Sequence, residues 1–247
     1  MVQAPQGAAL SGPTLIRLLA RLTDLDVPES GQSLSDRLSQ WLGWTDAIAL
    51  SSALNGNPPA APSGARGFGS AEEDECARVR ASLAKAIAGE RAFAASGRRA
   101  HAPARPGDAP MDVPADYPTL RQRYLSLQQT MDTDIGLLRG RLRNMLVARG
   151  AEQTRLAVVD AVMERVLGAR ERTLLSAVPE MLGGHFERLR QAEQKALADA
   201  EASGDAAPIA PGAWLDAFRS DARSVLLAEL DIRLQPVEGL LAALRAR

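Results

Sequence analysis

The side chains able to do chemistry are few. The chain carries two histidines, His101 and His185, and one cysteine, Cys76. Zinc sites draw several imidazole or thiolate donors from characteristic spacings, and no such pattern exists here. His101 lies in a stretch containing Pro103 and Pro106, while His185 follows Gly183-Gly184. On a helix, the residues one turn from His185 are Met181, Leu182, Arg188 and Leu189, none of them an acid. His185 therefore reads as a structural or solvated histidine, and no metal or cofactor is expected. Asp132 and Asp134 flank Thr133, but helical residues two apart point about 200° away from each other. That pair cannot act as acid and base on one face and reads as a partner set for nearby arginines. No Gly-x-Ser-x-Gly elbow and no phosphate-cradling loop appear. No catalytic residue is assigned, so an unrecognised enzyme ranks third among the functional readings.

Charge is the next resource. The formal net charge is −1, which gives no global attraction to nucleic acid or to anionic membranes. Lys85 and Lys195 are the only lysines, and arginine supplies the remaining positive charge. Arg139, Arg141, Arg143 and Arg149 gather near the end of a long helical pattern and form a candidate basic patch. Association with nucleic acid through this patch is the alternative functional reading. Arginine near a helix C-terminus also favours the helix dipole, which is a sufficient structural reason for the cluster. A helix-turn-helix around Gly43 fails on charge, because Asp46 to Leu54 contains no basic residue.

The elements that position these residues read as helices throughout. Apolar residues make up 46% of the chain and aromatics only 4%, so alanine and leucine do most of the packing. Both favour helix over sheet. Residues 11–54 form a small helical module: Leu15, Leu18, Leu19, Leu22 and Leu25 recur at helical spacing, and Ser33 can cap a helix carrying Leu34, Leu38, Trp41 and Leu42. A third helix starts at Thr45 or Asp46. Residues 55–70 and 96–116 are Pro-rich linkers flanking a helix at 71–95, whose first turns hold Glu72, Glu73, Asp74 and Glu75.

From Tyr117 a long-helix bundle is expected to run to residue 247. Leu120, Tyr124, Leu127, Met131, Ile135, Leu138, Leu142 and Met145 are spaced by three or four residues in a heptad-like stripe. Gly150 ends that helix. A second stripe carries Leu156, Val159, Met163 and Val166, with Pro179 and Gly183-Gly184 marking a kink or restart. Gly136 and Gly140 either permit close helix approach or are simply tolerated on the surface. Pro236 is expected to break the last helix. The fold class is all-α: an antiparallel hairpin over 117–203 with a C-terminal helix packed back on it.

Two stretches also carry a family resemblance. One runs from Ser11-Gly-Pro-Thr-Leu-Ile-Arg-Leu-Leu19 to Gln40-Trp-Leu-Gly-Trp-Thr-Asp-Ala47. The other runs from Tyr124-Leu-Ser-Leu-Gln-Gln129 through Val158 to Arg172, ending at His185-Phe-Glu-Arg-Leu189. They resemble an uncharacterised proteobacterial domain-of-unknown-function family of Burkholderia-like bacteria. The resemblance implies no activity and no catalytic residues. It does imply a gene neighbourhood with proton-channel and OmpA-like membrane proteins of the Zorya anti-phage type, hence a cytoplasmic accessory of a membrane-anchored assembly. The leading expectation is a cytoplasmic helical adaptor or scaffold with an unidentified protein partner. It would associate through the two stripes, as a homo-oligomer or with another protein, and without a transmembrane segment.

Overall fold

A computed structural model of the chain describes residues 13–23, 31–56, 69–93, 116–204 and 212–246. The linker expectations at 55–70 and 96–116 fall largely outside these residues. In chain order the helices are α1 (Thr14–Thr23), α2 (Leu34–Trp41), α3 (Trp44–Asn55), α4 (Ser70–Gly89), α5 (Tyr117–Val147), α6 (Ala151–Leu175), α7 (Val178–Ser203) and α8 (Ala213–Arg245). A 3-10 turn, Arg91–Phe93, follows α4. There is no strand among the described residues, and the all-α expectation holds.

α8 is the axis of the bundle. It packs on α5, α7, α4, α1 and α6, and its buried side chains run from Phe218 to Leu244 on more than one face. α5 and α6 form an antiparallel hairpin, and α7 continues from α6 after a break at Ser176-Ala177. Pro179 sits in the first turn of α7, where its missing donor costs nothing. Gly183 and Gly184 lie inside α7 and do not interrupt it. A Cβ on Gly183 would stand 2.9 Å from the Tyr117 ring, so this glycine is there to admit the ring. Tyr117, Phe186 and Phe218 pack together, with Phe186 centroids 5.3 and 5.1 Å from the other two rings.

Pro236 does not break the last helix; α8 runs through it to Arg245. One backbone bond to Ile232 is forfeited, but Val237, Leu240, Leu241 and Leu244 beyond it are all buried. Burial of four such side chains is worth roughly 1.5–3 kcal/mol each, which outweighs a proline penalty of about 3 kcal/mol. Gly136 has open space where a Cβ would go, so the Gly136–Gly140 pair mediates no close helix approach.

Arginine has a structural role that the composition alone does not disclose. Helices end with carbonyls lacking an internal partner, and here several arginines from other elements supply donors. Arg188 donates to Leu22 O at the end of α1, and Arg155 Nε donates to Gly56 O just past α3 at 3.2 Å. Arg219 Nε donates to Ala92 O at 3.2 Å and Arg223 to Phe93 O. Arg149 donates to Leu244 O near the end of α8. A forked guanidinium reaches such carbonyls with several donors, which suits arginine better than lysine.

Candidate functional site

The first stripe is core. Leu120, Tyr124, Met131, Ile135, Leu138 and Leu142 are buried within the chain, and Leu127 is half-buried against the same cluster. The stripe therefore offers nothing for an association between molecules. Its drift differs slightly from the heptad reading, since Gln128 and Leu146 are the buried neighbours of half-buried Leu127 and Met145. In the second stripe Val159, Met163 and Val166 are half-buried and Leu156 is exposed. The fully buried positions of α6 are instead Thr154, Ala157, Val162 and Leu175.

Three arginines of the basic patch pair with acids and the fourth donates to the end of a helix. Arg139 pairs with Asp160 at 2.6 Å, and Arg143 reaches the other oxygen of Asp160 at 3.1 Å. Glu164, one turn further along α6, also pairs with both arginines. Arg141 pairs with Glu75 on α4, and Arg149 caps α8. These four side chains point to three different helices, α6, α4 and α8. They are not a continuous surface for phosphates.

Two polar clusters escaped the sequence reading. In the core, Glu229 is fully buried and accepts from Tyr124 Oη at 3.0 Å, Gln128 Nε2 at 3.0 Å and Arg233 Nε at 2.9 Å. Arg233 also donates to Asp132 at 3.2 Å, and this end of the network opens into a cleft of about 60 Å³ beside Glu171. Burial raises the Glu171 carboxyl above its ordinary value, opposed by nearby Arg233. Separately, His185 Nε2 lies 2.9 Å from Asp221 Oδ2 on α8. The acid missing one turn from the histidine on its own helix thus arrives from a neighbouring helix. Both clusters are satisfied by their own members, and neither sets a nucleophile beside a base.

Apolar side chains are left exposed on α2 and α3. α2 and α3 contain no fully buried residue. α3 lies on α6, held by Arg165 to Asp46 at 2.6 Å and by Arg155 to the Gly56 carbonyl, and Arg170 of α6 lies over the Trp41 ring of α2 at 4.8 Å. At 100° per residue, Asp46, Ala49, Leu50 and Ala53 share one side of α3, and these are the partly covered ones. Trp44, Ala47, Ile48, Ser51, Ser52, Leu54 and Asn55 occupy the other side and are exposed. Trp44 is 83% exposed, Ile48 49% and Leu54 60%, with Leu34 of α2 at 71%.

A helix with apolar residues on both sides belongs between two layers. Among the described residues the layer that packs on α3 is α6. Among the described residues the geometry defines an all-helical bundle with paired charges between its helices and with large apolar side chains exposed on the outward side of α3, beside single ones such as Leu137 on α5 and Leu174 on α6. The chain belongs to the family described as "Protein of unknown function (DUF3348)", whose sequence pattern matches residues 1–246. This bears out the resemblance to an uncharacterised domain-of-unknown-function family. No curated protein and no solved structure matches the chain. No helix among the described residues is long and apolar enough to cross a membrane.

Proposed function

We propose that this protein is a helical adaptor whose partner docks on the outward face of α3. The observation that supports this reading is the two-sided apolar character of α3, with Trp44 and Ile48 one turn apart on its uncovered side. Tryptophan is enriched among the residues that dominate binding energy, and clustered exposed apolar residues mark interaction surfaces. Covering Trp44 and Ile48 would remove on the order of 300 Å² from water, worth about 7 kcal/mol before the costs of association. The association site moves from the α5 stripe, which the bundle consumes, to α3. The cytoplasmic, membrane-assembly and phage-defence setting implied by the family resemblance would suit such an adaptor. The proposal assigns no catalytic step and no nucleic-acid contact.

Site-specific photo-crosslinking in the native cell tests it. A crosslinker at Ser51, on the outward face of α3, should form protein adducts that one at exposed Ala81 on α4 does not. Trp44→Ser should abolish those adducts while leaving the fold intact. Equal yields at the two positions, or adducts indifferent to Trp44→Ser, would overturn the reading.

A further inference from the structure

Resting on that reading of the α3 face, we propose that its occupant is a second copy of this chain, packed α3 against α3 about a twofold axis. An isologous interface must carry its own complement, because the same patch faces itself. The outward side of α3 does so in shape. Trp44 and Ile48 form a ridge at i, i+4 spacing, and the adjacent row holds the small residues Ala47 and Ser51. The ridge of one copy can enter the row of small residues on the other, the commonest way helices interdigitate.

Charge selects the same occupant. The outward residues Trp44, Thr45, Ala47, Ile48, Ser51, Ser52, Leu54 and Asn55 include no ionisable side chain. Asp46, the one acid of the helix, turns toward α6 and is neutralised by Arg165. A twofold axis sets every charge near it against a like charge, so a neutral face is what self-pairing requires. Nucleic acid needs cations that this face lacks. A membrane-surface helix likewise carries Lys or Arg on its polar side, and α3 has neither. Charge complementarity offers nothing to a strongly acidic or basic protein partner.

Size sets the strength. α3 has 12 residues, a length of about 18 Å at about 1.5 Å per residue. One face of such a helix covers roughly half of the about 800 Å² per partner found in stable complexes. Leu34 of α2 is exposed too and can extend the patch. The dimer is accordingly weak and concentration-dependent, with dissociation in the micromolar range.

Sedimentation equilibrium on the full chain, from about 1 µM to about 1 mM, spans that range. The mass should climb from 26.2 kDa toward twice that value. Ser51 is exposed, so Ser51→Glu and Ser51→Lys should leave the far-UV circular dichroism and melting temperature unchanged. Each variant alone should dissociate at least tenfold more readily, and an equimolar mixture should recover the dimer. A mass of 26.2 kDa at every concentration overturns self-pairing, as does a dimer indifferent to Ser51→Glu. If the chain is monomeric yet the Ser51 crosslinker captures a different protein in a Trp44-dependent way, the α3 docking face stands and the second copy falls. If no adduct forms either, both fall.

Discussion

Glu229 and Arg233, one turn apart on α8, are both buried and meet at 2.9 Å in the centre of the bundle. Their remaining hydrogen bonds go to α5, where Tyr124 and Gln128 donate to Glu229 and Arg233 donates to Asp132, while Glu171 of α6 lies 4.0 Å from Arg233. Three successive turns of α5 are thereby matched to one turn of α8. Hydrophobic contact between the two helices would tolerate a slide of one turn; this set of directional bonds does not. A buried ion pair adds little net stability against a well-packed apolar substitute, so its contribution here is register.

Removing one member should therefore cost far more than removing both. Glu229→Met leaves buried Arg233 with only half-exposed Asp132 and the more distant Glu171 to balance it, and should destabilise the fold by about 3–5 kcal/mol. Glu229→Met combined with Arg233→Met should cost less than Glu229→Met alone, although Tyr124 and Gln128 still lose an acceptor worth about 1–3 kcal/mol each. Urea unfolding of the three proteins measures the coupling. Strictly additive costs would mean that the pair is not a unit.

The sequence discloses the helices far better than their partners. The α5 spacing identifies a buried stripe, but a stripe buried in one chain and a stripe buried between two share the same periodicity. The Arg139–Arg143 pair is balanced by Asp160–Glu164, acids with the same four-residue spacing on the next helix. Recognising that match requires knowing that α5 and α6 are antiparallel neighbours. Gln128 and His185 were opaque for a related reason, since Glu229 and Asp221 come from α8. At Pro236 the local preference of proline against helix is outweighed by the burial of Val237, Leu240, Leu241 and Leu244 beyond it. The two-sided pattern of α3 is written in Trp44, Ile48, Leu50 and Ala53. Its meaning depends on the finding that, among the described residues, α6 is the element packed on it.

Both tyrosines of the chain should resist ionisation. Burial pushes the Tyr117 phenol up to about 12, with Glu180 adding to the effect and Arg121 opposing it. Burial raises Tyr124 well above its ordinary value, and neighbouring Glu229 raises it further. The unfolded chain ionises tyrosine near pH 10. Between that pH and about 12 the native state thus holds more protons than the unfolded state, and stability must fall as pH rises. Absorbance at about 295 nm should show little tyrosinate near pH 10 while the protein is native, and a full signal in denaturant. Normal titration of either residue in the native protein would contradict their burial.

Two helical glycines should respond to alanine with opposite signs. At Gly183 the new methyl would stand 2.9 Å from Tyr117 Cε1 and 3.2 Å from Cζ, and the ring is held by Phe186 and Phe218. Gly183→Ala should destabilise by about 1–3 kcal/mol through overpacking. At Gly136 the methyl meets nothing within 4 Å. Gly136→Ala should stabilise by up to about 1 kcal/mol through helix propensity. Melting temperatures of the two variants decide the matter, and a loss at Gly136 would reveal a close approach that these helices do not make.

The hold of α2 and α3 on the bundle should be separable from the stability of the bundle itself. With no fully buried side chain on either helix, their attachment leans on Arg165 to Asp46 and Arg155 to Gly56 O. Local opening is easiest where few apolar contacts are buried, so amides of α2 and α3 should exchange faster than those of α5 and α8. Arg155→Ala with Arg165→Ala removes both contacts while leaving the core cluster untouched. Exposed and half-exposed pairs contribute up to about 1 kcal/mol each, which predicts roughly a tenfold loss of protection in α3 and little change in α8. The same measurement bears on docking. Raising the protein concentration should restore protection to α3 if a second copy covers it, and should leave α4 as it was. Protection in α3 equal to that of α8 in dilute solution would mean that the helix already has its second layer.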